Sequence, residues 1–81
     1  MASDISVIRN IVVQHGRLSA DAAALSAESD LYRAGLTSLA TVGVMLALED
    51  HFEVEFPNTM LNRKTFSNLE SISAAIDQLV H

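Results

Sequence analysis

Residues 30–52, DLYRAGLTSLATVGVMLALEDHF, decide the fold because a turn is followed there at once by a helix. The turn contains Gly35 and has no helical period. From Thr37 onward, apolar side chains recur three and four residues apart, which is the spacing of one helix face. They are Leu39, Val42, Met45 and Leu46. Thr37 or Ser38 can cap this helix, so the pattern predicts a helix that starts at an exposed corner.

The N-terminal segment predicts a first helix. Ser3 or Asp4 can cap it, and Gly16 is a natural end. Its apolar side chains follow the helical spacing. They include Ile5, Ile8, Ile11 and Val12. The β-branched run at residues 11–13 would also suit a strand, but we favour the helix because the helical spacing extends over the whole segment.

The C-terminal segment predicts the last helix. Ser67 and Glu70 have the spacing of a capping box, which closes the first turn of a helix. The apolar positions that follow are Leu69, Ile72, Ile76, Leu79 and Val80. The core predicted for the second half of the chain consists of Met45, Leu48, Phe52, Val54, Phe56, Leu69, Ile72 and Ile76.

The segment between these helices alternates apolar and acidic residues at 52–56, which is a strand pattern. A lone strand would have no sheet to join, because the chain has no second alternating run. We therefore interpret it as an extended connector. Pro57 favours a short helix at residues 58–61, and residues 62–64 form a basic loop.

A connection of about twenty residues, 17–37, precedes the second helix, which is long for a compact domain. Leu18, Leu25 and Leu31 are expected to tie it to the helices, and residues 21–24 are suited to a short helical turn. The sequence thus predicts an all-α four-helix bundle, with three main helices, one short helix and a long loop between the first two.

Length and composition exclude several classes of protein. Eighty-one residues with 49% hydrophobic and 19% charged residues predict one domain, residues 1–81. The absence of cysteine excludes a disulfide scaffold and a thiol nucleophile. A net charge of -5 argues against nucleic-acid binding. No apolar run is long enough to span a bilayer and no signal-peptide pattern is present, so we expect a cytoplasmic monomer.

No catalytic or metal site is predicted. His15, His51 and His81 lack paired ligand spacing. Ser38 is the best-placed hydroxyl, but a serine nucleophile needs an adjacent base. His51 lies about 20 Å away along the same helix, at 1.5 Å per residue.

Ser38 suits modification by another enzyme better. A phosphate ester at a helix N-terminus faces free backbone N–H groups and the positive end of the helix dipole. No charged side chain follows Ser38 before Glu49. The alternative is that Ser38 is only an N-cap.

The stretch from Asp30 to Phe66 resembles the acyl carrier protein family. That family has the pattern Asp-Leu-x-x-x-Gly-x-Asp-Ser-Leu, then a helix that ends in Leu-Glu. The matching residues are Asp30, Leu31, Gly35, Ser38, Leu39, Leu48 and Glu49. The resemblance implies a four-helix bundle in which a transferase attaches 4′-phosphopantetheine to Ser38. It also implies that the arm's thiol holds an acyl or aminoacyl group as a thioester, and that the chain is a carrier and not an enzyme.

Three departures from the family pattern affect the expected partners. Thr37 replaces the usual Asp and cannot contribute a carboxylate to the transferase's metal site. Ala40 and Gly43 stand where many carriers have acids, and the loop with Arg63 and Lys64 is basic. Docking should therefore be more apolar and less salt-sensitive than for a fatty-acid carrier.

The resemblance also implies a partner surface near Ser38. It consists of Leu36, Thr37, Leu39, Val42, Gly43 and Leu46. The first two would meet the transferase. Arg63 and Lys64, in the basic loop, are expected to contact an acidic surface of a partner. Core packing remains the alternative for the helix residues, and a solvated loop for Arg63 and Lys64.

The stretches at residues 30–38 and 56–66 look most like the small aminoacyl carrier proteins. Those are charged with a small amino acid by a seryl-tRNA-synthetase-like ligase and pass it to a downstream acceptor enzyme. The alternatives are a conventional acyl carrier in fatty-acid, polyketide or lipid synthesis, and an unmodified helical adaptor. An amino-acid cargo should leave the arm exposed, because a polar group gains little from an apolar core.

Overall fold

The computed structural model describes residues 4–16, 18 and 25–80. Three α-helices occur in these residues and no strand. They are α1 (Ile5–Gly16), α2 (Ser38–Phe52) and α3 (Leu69–Leu79). Helix α1 packs against both α2 and α3. The predicted all-α architecture is confirmed, and no described helix is both long and apolar enough to cross a membrane.

The short helix differs from the prediction. Pro57 precedes a single 3-10 turn at Asn58–Met60, closed by hydrogen bonds from Met60 N–H to the Pro57 carbonyl and from Leu61 N–H to the Asn58 carbonyl. The described part of the chain therefore has three α-helices and one 3-10 turn. The extended connector predicted at residues 52–56 is shorter in the structure. Phe52 is the last residue of α2 and Glu53 has a left-handed φ of 54°, so residues 54–57 alone lead without regular structure to the 3-10 turn, with Phe56 buried.

Helix α1 starts and ends where the sequence predicts. Asp4 caps it, since its Oδ1 accepts a hydrogen bond from the backbone N–H of Ser6 at 2.9 Å; Ser3 lies outside the described residues. Gly16 is its last residue. A Cβ at Gly16 would lie only 3.1 Å from Cδ1 of Leu36, so glycine permits the close approach of α1 to the loop before α2.

The core lies between the three helices. Its buried helix residues are Ile8 and Val12 of α1, Val44 and Leu48 of α2, and Leu69, Ile72, Ala75 and Ile76 of α3. Of the predicted core, Leu48, Phe56, Leu69, Ile72 and Ile76 are buried, whereas Met45, Phe52 and Val54 are half-buried. Val44, fully buried, was not among the predicted core residues. Helix α2 is apolar around most of its circumference, so periodicity does not determine which side faces inward.

Helix α3 begins one residue later than the predicted capping box. Asn68 is the N-cap, and its Oδ1 accepts from the backbone N–H of Ser71 at 2.7 Å. The Ser67 hydroxyl donates instead to the Lys64 carbonyl, and Glu70 N–H donates to the Ala27 carbonyl. At the other end, Val80 is exposed and is not part of the apolar stripe.

The long connection is tied to the helices as predicted. Leu25 and Leu31 are buried, and Leu18 packs against the core. The backbone N–H of Leu31 donates to the Ser67 carbonyl at 2.8 Å, which joins the connection to the start of α3. The helical turn predicted at residues 21–24 lies outside the described residues.

Leu31→Ala should lower the free energy of unfolding by about 2–5 kcal/mol, because it removes a fully buried side chain that anchors the connection. Leu39→Ala is the matched control: Leu39 is exposed, so its effect should stay within about 0.5 kcal/mol. Urea unfolding followed by circular dichroism measures both. Equal stability of the two variants would contradict this packing.

Candidate functional site

Ser38 is the first residue of α2 and is exposed. The cap of the helix is Thr37, whose Oγ1 accepts from the backbone N–H of Ala40 at 3.0 Å. The Thr37 carbonyl accepts from both the N–H and the hydroxyl of Thr41, at 2.9 and 2.7 Å. The sequence alone does not decide whether Thr37 or Ser38 is the N-cap of α2. Because Thr37 fills it, the Ser38 hydroxyl is not needed to start the helix.

The turn before Ser38 is built by short-range hydrogen bonds. Asp30 Oδ1 accepts from the backbone N–H of Tyr32 at 3.0 Å. Gly35 has a φ of 116°, a conformation that side chains disfavour, which explains the glycine of the motif. The Leu36 N–H donates to the Leu31 carbonyl. Both leucines are buried, so the turn holds Ser38 at a fixed corner.

The electrostatics at Ser38 favour an anion. The first N–H groups of a helix have no intrahelical acceptor, and the helix dipole places positive potential at this end. The first turn of α2 contains no acidic residue. Within the helix, acids begin at Glu49, whose carboxylate accepts from the Phe56 N–H at 2.8 Å. A phosphate ester on the Ser38 hydroxyl therefore fits the residues present.

A cleft of about 300 Å³ opens beside Ser38, between α2 and the loop that follows the 3-10 turn. On the α2 side it is lined by Ser38, Thr41, Val42 and Met45. On the opposite side it is lined by Tyr32, Leu61, Asn62, Arg63 and Phe66. Most of this lining is apolar, and Arg63 is its one charged residue.

Arg63 and Lys64 are exposed but do not act as a pair. The Arg63 guanidinium carbon lies 4.2 Å from the centre of the Tyr32 ring, a cation–π contact at the cleft beside Ser38. Lys64 lines a different depression, with Met60 and Thr65. Sequence analysis missed Tyr32, because it falls at an unspecified position of the motif and its partner is distant in the chain.

The exposed side of α2 is apolar. Leu39 is 85% exposed, Val42 50% and Leu46 55%. They are three, four and seven residues apart, so they share one side of the helix, with Gly43 half-buried beside them. These residues were predicted either as a partner surface or as core, and their exposure excludes core packing for the three large side chains.

Leu36 is a correction to the predicted partner surface. Its side chain is only 4% exposed and packs in the core. It therefore fixes the turn from inside and offers little side-chain surface to a partner. Thr37, by contrast, is exposed next to Ser38.

No group of three metal-ligating side chains lies close enough together to bind an ion among the described residues. His15 lies in the last turn of α1, and His51, near the end of α2, contacts the ring of Phe52 edge-on, with the ring centres 4.8 Å apart. His81 lies outside the described residues. The site thus offers the exposed hydroxyl of Ser38 beside a mainly apolar cleft.

Known proteins resemble this chain in sequence. The family model described as a phosphopantetheine attachment site matches residues 7–76. An aminoacyl carrier protein from Agrobacterium fabrum is 39% identical over 71 residues, which are 88% of this chain and 86% of the relative.

Solved structures also resemble this chain. One is a crystal structure of an engineered Bradyrhizobium japonicum glycine:[carrier protein] ligase complexed with a carrier protein from Agrobacterium tumefaciens and ATP. It matches with a TM-score of 0.87 and 36% identity, over 94% of this chain and 100% of the other. A holo acyl carrier protein from Nitrosomonas europaea matches with a TM-score of 0.80 and 28% identity, over 91% and 92% of the two chains. The chain therefore belongs to the phosphopantetheine-binding carrier protein family, whose members carry cargo on a covalently attached 4′-phosphopantetheine and are not themselves enzymes.

Proposed function

We propose that Ser38 carries the 4′-phosphopantetheine arm and that the arm carries a small amino acid such as glycine or alanine. The arm supplies a terminal thiol, which holds the acid as a thioester. The observation that carries the proposal is the exposed hydroxyl of Ser38 at the start of α2, which Thr37 leaves free by capping the helix. In a chain without cysteine, the arm is the source of the sulfur.

The amino-acid cargo is supported by the kind of relatives that the chain has. The curated relative is named an aminoacyl carrier protein, and one structural relative is complexed with a glycine:[carrier protein] ligase. A conventional acyl carrier is the second candidate. It is favoured by the mainly apolar cleft beside Ser38 and by the likeness to a holo acyl carrier protein.

Three partners follow from this function: a phosphopantetheinyl transferase, an amino-acid ligase, and a downstream enzyme that accepts the cargo. We assign their docking surface to Thr37, Leu39, Val42, Gly43 and Leu46, with Arg63 and Lys64 at its side. The three exposed apolar side chains form its centre. Because the first turn of α2 lacks acids, apolar contact rather than charge should dominate docking.

Incubation with coenzyme A and a broad-specificity phosphopantetheinyl transferase should add the mass of one phosphopantetheine to the chain. Ser38→Ala should abolish the addition, because the acceptor hydroxyl is lost. Ser6→Ala is the matched control, since Ser6 is another exposed serine in the first turn of a helix. Intact-protein mass spectrometry and mapping of the modified peptide measure the outcome. Addition to Ser38→Ala would contradict the assignment.

The cargo is tested with the modified chain, ATP and the Bradyrhizobium glycine:[carrier protein] ligase. We expect a mass increase of one glycyl group, removed by hydroxylamine as a thioester is. A parallel reaction with a fatty-acid ligase should leave the mass unchanged. Loading with a fatty acid and not with glycine would favour the conventional acyl carrier instead.

Leu39→Ala should lower kcat/KM for glycine transfer by about tenfold, the scale of one central apolar contact. Val80→Ala is the control: Val80 is also exposed and apolar, but it lies at the end of α3. Added salt should change the wild-type rate little. Equal rates for Leu39→Ala and wild type would contradict the assignment of α2 to the docking surface.

A further inference from the structure

The cleft beside Ser38 is lined by one positive charge and no negative charge. Its nine lining residues include no aspartate or glutamate, and Arg63 is their one formal charge. The rest of the lining is mainly apolar, from Val42, Met45, Leu61 and Phe66. A volume of about 300 Å³ is at the small end of the range for ligand pockets. The cleft is therefore large enough for a short acyl group.

Arg63 is held in place by the Tyr32 ring. Its guanidinium carbon lies 4.2 Å from the ring centre, within the range of a favourable cation–π contact. Tyr32 is itself fixed by the turn, because its backbone N–H donates to Asp30 Oδ1. The cation is thus positioned at the cleft and is not simply a solvated side chain of the loop.

The α-amine of an aminoacyl group is largely protonated below neutral pH. An ammonium that entered the cleft would lose water and face the Arg63 cation, with no carboxylate in the lining to pair with it; the polar side chains of Ser38, Thr41 and Asn62 are neutral. An uncharged acyl group of the same size does not lose the hydration of a charge and is not repelled by Arg63. It also gains apolar contact with Met45 and Phe66.

We propose that Arg63, held over the Tyr32 ring, acts as a charge gate at this cleft. An uncharged acyl group on the arm enters the cleft, whereas a protonated aminoacyl group stays outside it, available to an acceptor enzyme. This inference rests on the proposed attachment of the arm at Ser38. It makes Arg63 a residue that positions the cargo, with a role separate from that of the docking surface on α2.

The test compares two cargoes that differ by one group. Propionyl and glycyl have the same number of heavy atoms, with a methyl in one and an ammonium in the other. Each is attached to the chain through a hydrolysis-resistant amide analogue of coenzyme A, and loading is verified by mass. Nuclear Overhauser contacts from the cargo to Met45 and Phe66 are then measured by NMR at about pH 6, where the amine is protonated.

In the wild-type chain we expect contacts from propionyl and none from glycyl. In Arg63→Glu the glycyl contacts should rise from undetectable to at least about a tenth of the propionyl contacts, because a positive charge at the cleft is replaced by a negative one. Arg33→Glu is the matched control, because it makes the same charge change at another exposed arginine, which does not line this cleft. It should behave like wild type.

Three results would each overturn the gate. They are glycyl contacts in the wild type, an absence of propionyl contacts in the wild type, and equal behaviour of the two glutamate variants. Failure of the loading step itself, visible in the mass, would instead overturn the attachment at Ser38. The two failures are therefore distinguishable.

Discussion

The hydrogen bond from the Ala40 N–H to Thr37 Oγ1 is the constraint on which the site depends. It starts α2 at Ser38 without using the serine, so the hydroxyl lies exposed beside the first N–H groups of the helix. The turn behind it is fixed by buried Leu31 and Leu36 and by the positive φ of Gly35. A substrate residue for another enzyme has to be accessible and well positioned at once, and this corner satisfies both conditions.

Helix α2 has apolar side chains both in the core and on the surface. Val44 and Leu48 are buried against the other helices, whereas Leu39, Val42 and Leu46 are left in solvent. The acids at its far end begin with Glu49, whose carboxylate stabilises the connector by accepting from Phe56 N–H. The half of α2 near Ser38 is thus apolar and free of acids, which suits partners that dock by apolar contact.

Much of this could be predicted from the sequence, because short-range signals decide it. The helix spacing, Gly16, Gly35 and Pro57 each act on neighbouring residues. Short-range signals do not predict which of two adjacent residues caps a helix, nor do they predict contacts between residues that are distant in the sequence. Asn68 outcompetes Ser67 as the cap of α3, because the Ser67 hydroxyl donates to Lys64 instead.

The inward side of α2 was predicted in part: Leu48 is buried as predicted, but Val44 was missed. Leucine, valine and methionine surround the helix on most sides, so the spacing does not decide which positions pack against α1. The burial of Leu36 and the Tyr32–Arg63 contact depend on the fold of the whole chain, so no local sequence pattern predicts them. The candidate site was therefore predictable at Ser38, whose motif is local, and less so in the surfaces around it.

The function proposed for this chain is to carry a small amino acid on an arm at Ser38. It is tested most directly by the intact mass of the chain isolated from its own cells under mildly acidic conditions that preserve thioesters. We expect a mass raised by one phosphopantetheine plus one small aminoacyl group, both on the peptide that contains Ser38. A chain found only with its unmodified mass would rule out this function and favour an adaptor that binds partners without an arm.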